Sequence, residues 1–138
     1  MAEGLLRKRL KELGKEHIIV RSAGVMAFGN VAPTDETIKV MSDEGIDVSG
    51  HRTQGVRHDL IKNSDLILVM EKSHKDIVSK DVPEAASKIY LLKEFGNPVK
   101  TKGANSLGVR DPMGMPIDVY MDCLGEIKQE IERIAELL

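Results

Sequence analysis

The 138-residue sequence contains a single cysteine, no long apolar run and no large excess of charge of either sign. One cysteine, Cys123, excludes internal disulfides and four-cysteine zinc sites, and it fits a reducing cytosol. The longest apolar stretch, residues 66–70, is far shorter than a membrane span, and basic residues near the N-terminus exclude a signal peptide. The formal net charge of −2 gives no electrostatic reason to bind nucleic acid or an anionic membrane. We therefore expect a cytoplasmic protein that contacts neither nucleic acid nor membranes.

Hydrophobic periodicity predicts one domain, residues 1–138, in which helices and strands alternate. The predicted helices cover residues 1–14, 33–44, a segment from Ser73, and a long C-terminal stretch from Ile117 to Leu138. The predicted strands cover residues 17–21, 65–70 and 88–92. This alternation is typical of an α/β fold, an open parallel sheet with helices on both faces. Such sheets usually have about four to six strands, and no strand precedes the first predicted helix. We therefore expect a sheet that lacks its first strand.

Three polar residues near predicted strand ends are candidates for chemistry. Asp111, followed by Pro112 after a loop at residues 96–110, is a reasonable general acid, although Asp-Pro alone favours a turn. Ser22 follows a predicted strand and, taken singly, is better explained as a turn or cap residue. His51 could orient another group through a ring nitrogen, but a lone histidine is usually structural. The other histidines lack metal-ligand spacing, so we expect no metal and no cofactor.

No phosphate-binding loop of any kind is present in the sequence. Nowhere is a cysteine followed six positions later by an arginine, and Gln129 stands at that spacing from Cys123. A reactive thiolate requires a positive environment, such as a helix N-terminus or an adjacent base. Cys123 lies inside the last predicted helix, where neither is present. We interpret Cys123 as an inert, partly packed thiol.

Four stretches, taken together, resemble the low-molecular-weight protein tyrosine phosphatase family, including its bacterial arginine-phosphatase branch. They are residues 21–25 (Arg-Ser-Ala-Gly-Val), 45–52 (Gly-Ile-Asp-Val-Ser-Gly-His-Arg), 65–70 (Asp-Leu-Ile-Leu-Val-Met) and 110–114 (Arg-Asp-Pro-Met-Gly). In that family a first strand leads into a loop reading Cys-x5-Arg-Ser, followed by a helix that often opens Met-Ala-Glu. Residues 1–3 match that helix start. The resemblance implies a phosphotyrosine protein phosphatase I-like fold that begins just after the loop.

The resemblance also implies roles for individual residues. Asp111 matches the family's general acid, Ser22 and His51 match the pair that holds the phosphate loop by hydrogen bonding, and Phe28 falls where the family has an aromatic wall for the substrate. Met113 and Gly114 stand where eukaryotic members carry a tyrosine pair. This difference slightly favours phosphoarginine over phosphotyrosine as the substrate. In the family a cysteine thiolate attacks phosphorus to form a phosphocysteine. The resemblance therefore implies a phosphorylated protein as substrate, and inactivity for a chain without that nucleophile.

A second interpretation is a non-catalytic relative that binds a partner or assembles with itself. In the family the missing strand lies inside the sheet, between the strands matching residues 17–21 and 65–70. Its absence would leave unpaired N–H and C=O groups on two strand edges. We therefore expect either that these two strands close up against each other or that another chain fills the gap, which favours self-association through the exposed sheet edge.

Overall fold

The computed structural model describes residues 1–26, 29–97 and 107–138. Along these ranges the helices are α1 (Ala2–Glu12), α2 (Asp35–Asp43), α3 (His58–Lys62), α4 (Lys72–Asp81) and α5 (Ile117–Leu137), with a 3₁₀ helix at Pro83–Lys88. The strands are β1 (Ile67–Val69) and β2 (Ile89–Leu91). Most of the predicted loop at 96–110, namely residues 98–106, lies outside the described residues.

The two strands run parallel, with Ile67 opposite Ile89 and Val69 opposite Leu91. Successive side chains of a strand point to opposite faces. Accordingly, Leu68 packs on a first core built from α1, α2 and α5. Ile67 and Val69 belong to a second core that includes residues of α3 and α4. The prediction of an α/β fold with parallel strands and helices on both faces is confirmed.

The predicted strand at residues 17–21 is wrong, because no strand forms there. The alternation of burial that a strand requires is present: Ile18 and Val20 pack on the first core, whereas Ile19 is 80% exposed. A strand also requires a neighbour for its backbone groups. Here the Arg7 guanidinium donates instead to the Val20 carbonyl oxygen, from Nε at 3.2 Å and from a terminal nitrogen at 2.7 Å. The described part of the sheet therefore contains two strands rather than the expected three.

Glycines end α1 and α2 in the same way, as the sequence predicts. Gly14 and Gly45 have φ of 68° and 71°, a left-handed conformation that favours glycine. After α1, the Lys15 N–H donates to the Leu10 carbonyl at 2.8 Å, and after α2 the Ile46 N–H donates to the Met41 carbonyl at 2.9 Å. This is the Schellman arrangement, which satisfies the last carbonyl groups of a helix. It also turns the chain sharply into the segments that carry Ser22 and His51.

Helix α5 supplies the largest apolar face of the first core. Its buried side chains include Ile131 and Ile134, which are 2% and 0% exposed. Each such burial contributes about 1.5–3 kcal/mol, so α5 anchors α1 and α2 beside it. Within the described ranges, no helix combines the length and the hydropathy that crossing a membrane requires.

Candidate active site

Ser22 and His51 meet at the first turn of α1, on the carboxylate of Glu3. The Ser22 hydroxyl donates a hydrogen bond to Glu3 Oε2. The His51 Nδ1 atom lies 4.0 Å from the same oxygen, which is beyond hydrogen-bond distance. Arg7 forms an ion pair with Glu3 Oε1 at 2.8 Å. The structure thus brings together two of the residues that the sequence singled out, through a third that it did not.

Hydrogen bonds to backbone groups hold the two loops that carry these side chains. Near Ser22, the Gly24 N–H donates to the Gln54 carbonyl at 3.0 Å, and the Gln54 side-chain amide donates to the Ser22 carbonyl at 2.8 Å. Near His51, the Ser49 N–H donates to Asp47 Oδ1 at 2.9 Å. Hydrogen bonds from the Ser49 side chain and backbone lower the pKa of Asp47. The loop therefore carries a fixed negative charge at the turn before His51.

Asp111 lies beyond the carboxyl end of β1. The Val109 N–H donates to the Met70 carbonyl at 2.8 Å, which ties this loop to the end of the strand. The Asp111 carboxylate accepts the Met113 N–H at 2.9 Å, so the Asp-Pro pair does start a turn. The turn leaves Asp111 exposed. In parallel sheets, ligands bind at this edge, so the position suits a proton donor.

Cys123 lies within α5 and is 6% exposed, which confirms that this thiol is packed. Burial raises its pKa, and the negative charges of Glu126 and Asp111 raise it further. Its Sγ atom donates to the Arg110 carbonyl oxygen at 3.4 Å. Because only the thiolate is nucleophilic, Cys123 is poorly suited to attack phosphorus at neutral pH.

The N-terminus of α1 lies between the two groups of residues. A cavity of about 870 Å³ is lined by Met1, Glu3, Ser22 and His51, and a smaller one of about 210 Å³ by Met1, Asp111 and Cys123 among others. No side chain caps this helix end, so the N–H groups of its first turn and the positive end of the helix dipole face this region. Such a helix end binds phosphate well when other groups complete the site.

The predicted substrate wall at Phe28 lies outside the described residues. Within the described part of the chain, no group of three His, Cys, Asp or Glu side chains is arranged to hold a metal ion. The roles of Asp111, Ser22 and His51 remain predictions.

Glu3 is the residue that the sequence reasoning missed. In the sequence, Met-Ala-Glu indicates only the start of a helix. An acidic residue in the first turn is a common helix signal, which gives no indication of a contact with residues far along the chain. Its side chain is only 16% exposed, and this burial becomes visible only when the Ser22 and His51 loops are in place.

A family model described as low molecular weight phosphotyrosine protein phosphatase matches residues 1–138. The chain belongs to this family.

Individual members of the low molecular weight phosphatase family agree with this assignment. A protein-arginine-phosphatase of Geobacillus stearothermophilus is 32% identical over 119 residues, which cover 86% of this chain and 76% of that protein. The crystal structure of a low molecular weight protein tyrosine phosphatase from T. tengcongensis is 37% identical, with a TM-score of 0.87, covering 99% of this chain and 88% of the other.

A third relative is informative about the chemistry of its own active site. The structure of the YwlE arginine phosphatase, a cysteine-to-serine mutant with a phosphorylated active-site serine, is 27% identical with a TM-score of 0.89. The match covers 99% of this chain and 85% of that one. Relatives named for phosphotyrosine and for phosphoarginine therefore both share this fold.

Proposed function

We propose that this chain forms the acid-carrying part of a low molecular weight protein phosphatase. Asp111 is the general acid, while Ser22 and His51 hold a phosphate-binding loop at the N-terminus of α1. One observation carries the proposal: the uncapped start of α1 has Ser22 and His51 on one side and Asp111 on the other. Phe28 forms part of the wall against the substrate's phosphorylated side chain.

The proposed reaction has two displacement steps at phosphorus. The thiolate of the family's Cys-x5-Arg loop attacks, an S–P bond forms, and the bond from phosphorus to the substrate's oxygen or nitrogen breaks. Asp111 gives its proton to that departing atom. A water molecule then attacks phosphorus, passes a proton to Asp111, and the S–P bond breaks to restore the thiolate. The phosphorylated active-site serine of the related mutant supports a covalent phosphoenzyme of this kind.

The substrate we propose is a phosphorylated protein, with phosphoarginine favoured over phosphotyrosine. Met113 stands directly after the Asp-Pro turn and is 73% exposed beside Asp111. The eukaryotic members of the family carry a tyrosine pair there. Met113 thus puts a flexible apolar side chain where those members have an aromatic one. The arginine-phosphatase relative is consistent with this choice.

Residues 1–138 alone should not hydrolyse para-nitrophenyl phosphate above background. They contain no Cys-x5-Arg sequence, and the loss of a nucleophile typically lowers turnover by about 10⁶. The raised pKa of Cys123 keeps that thiol from substituting for the nucleophile. The assay compares the chain with a Cys123→Ser variant at neutral pH. Turnover in the parent that disappears in the variant would contradict the prediction.

A second function, as a self-assembling module, is favoured by the edge of β1 that faces away from β2. The Leu92 N–H donates to the Val69 carbonyl at 2.9 Å, so Val69 bonds towards β2. Alternate residues of a parallel strand bond to opposite sides, so Leu68 directs its N–H and C=O to the other edge. In the described ranges no strand pairs with that edge.

Residues 17–21 do not pair with β1. We therefore expect that a second copy of this chain covers the free edge of β1. Light scattering should then give a mass at least twice that of the monomer, and hydrogen exchange should be slow at Leu68. Dilution to the monomer should speed exchange at Leu68 while leaving the buried amides of α5 protected. A monomer in which the Leu68 amide remains protected would count against self-association.

A further inference from the structure

The larger cavity continues along α1 as a groove that the proposed chemistry does not use. One side is formed by α1 from Glu3 to Lys11, and the other by the segment from Gly45 to Arg52. Glu3, Arg7 and Lys11 are spaced four residues apart and share one helix face. Eight residues of helix span about 12 Å, so Lys11 lies about that distance from the Ser22 and His51 end. We call this feature the α1 groove.

Close packing of α1 gives the groove a firm floor. A Cβ atom at Gly4 would lie 2.9 Å from Met41 Cε and 3.2 Å from Ile46 Cγ2. A side chain at this position would therefore require the end of Met41 to shift and Ile46 to give way slightly. Contacts of α1 with the core, rather than mobile surface side chains, therefore fix the position of the helix beside the groove.

The groove is basic, although the whole chain has a formal net charge of −2. Its lining contains four cationic side chains and two carboxylates. The cationic residues are Arg7, Lys8, Lys11 and Arg52, and the carboxylates belong to Glu3 and Asp47. All four cationic residues are exposed.

Most of this positive charge is not neutralised by nearby carboxylates. Glu3 is paired with Arg7. Lys8 Nζ donates to the Glu44 carbonyl at 2.7 Å, while the Glu44 carboxylate pairs with Lys128 at 2.7 Å.

The two remaining cations are also available to a ligand. The Arg52 guanidinium donates to the carbonyls of Ser49 and His51 at 2.9 and 2.7 Å, which are neutral partners. In the part of the chain that the structure describes, Lys11 has neither an ion pair nor a side-chain hydrogen bond. Within the described residues, Lys8, Lys11 and Arg52 form no ion pair, and Asp47 is the one unpaired carboxylate of the lining, so the groove keeps a net positive charge.

We propose that the α1 groove binds an acidic segment of the phosphorylated protein substrate. This proposal rests on the proposed function, because the phosphorylated residue would sit at the N-terminus of α1, where the groove begins. An extended peptide advances about 3.3 Å per residue, so about 12 Å corresponds to three or four residues. The groove therefore selects substrates with Asp or Glu three to four positions from the phosphorylated residue. Charge complementarity of this kind mainly sets specificity and association rate.

Binding of an unphosphorylated peptide tests the groove without requiring catalysis. The probe is a fluorescein-labelled, glutamate-rich peptide of about ten residues, measured by fluorescence anisotropy with the 138-residue chain at low salt. The double variant Lys8→Glu with Lys11→Glu should weaken binding about tenfold, as expected for two exposed charge contacts. A matched control, Lys72→Glu with Lys80→Glu, changes the same charge on exposed positions of α4 and should stay within about twofold.

A second peptide, with glutamine at every glutamate position, should bind at least tenfold more weakly than the acidic one. Equal weakening by the α4 control, or equal binding of both peptides, would overturn the proposal. Should the double reversal disturb folding, Lys11→Gln alone should still weaken binding about two- to threefold, and no change there would count equally against the groove. Because neither peptide carries a phosphate, this result stands apart from any test of turnover.

Discussion

Joining the family's first strand and Cys-x5-Arg-Ser loop in front of Met1 should raise hydrolysis of para-nitrophenyl phosphate by about 10⁶ or more over residues 1–138 alone. The reason is that the nucleophile and the phosphate cradle act as a unit. The start of α1 is uncapped, and its N–H groups face the region between the two cavities. A grafted loop would therefore deliver its phosphate to groups already in place, with Ser22 and His51 beside it.

The matched control for this hybrid carries serine in place of the grafted cysteine. It should keep the fold, as judged by circular dichroism, and fall to the background rate. A folded hybrid that has the cysteine and still shows no turnover would contradict the assignment of α1 and its neighbours to the active site. Equal turnover in the hybrid and its serine control would do the same.

In the active hybrid, Asp111→Asn should lower kcat by about 10²–10⁴ and leave KM nearly unchanged. An amide has the size of the carboxylic acid but cannot give a proton to the leaving group. Asp111 is exposed and its carboxylate accepts the Met113 N–H at 2.9 Å, a turn that an asparagine side chain can also make. The substitution should therefore remove the chemistry while preserving the loop.

Asp118→Asn is the matched control, since Asp118 is also exposed and lies in the first turn of the nearby helix α5. It should leave kcat within about twofold, whereas His51→Ala should cost less than Asp111→Asn because its proposed role is to hold the loop. The loss at Asp111 should also shrink for substrates whose leaving group is a weak base and needs no proton. Equal kcat for Asp111→Asn and its parent would remove Asp111 from the mechanism.

Local chemistry determines most of the helices, which is why the sequence predicts them well. Gly14 and Gly45 end two helices through contacts within six residues, and the apolar spacing of α5 reports directly on one buried face. The segment at residues 17–21 shows the limit of such reasoning. Alternating burial can be inferred from the β-branched residues of the segment. Hydrogen-bonded pairing also needs a neighbouring strand, which the segment's own residues do not specify.

The candidate site follows the same division. Asp111 could be singled out because Asp-Pro stands at the end of a loop before a helix. The meeting of Ser22 and His51 could not be predicted from their spacing, since it depends on two loops folding onto α1. The resemblance to the phosphatase family implies that Ser22 and His51 act together, whereas for Glu3 it implies only the start of a helix.

Through the contacts of Glu3 and Arg7, the conformation of two loops that are distant in sequence depends on the first two turns of α1. Arg7 donates to the Val20 carbonyl, the Ser22 hydroxyl donates to the Glu3 carboxylate, and His51 lies beside that carboxylate. These loops are far apart in the sequence, yet fraying of the first two turns of α1 would remove contacts from both at once. In thermodynamic terms, these contacts couple the local stability of both loops to the first two turns of α1. Whatever stabilises the start of α1, a bound anion included, therefore also rigidifies the Ser22 and His51 loops.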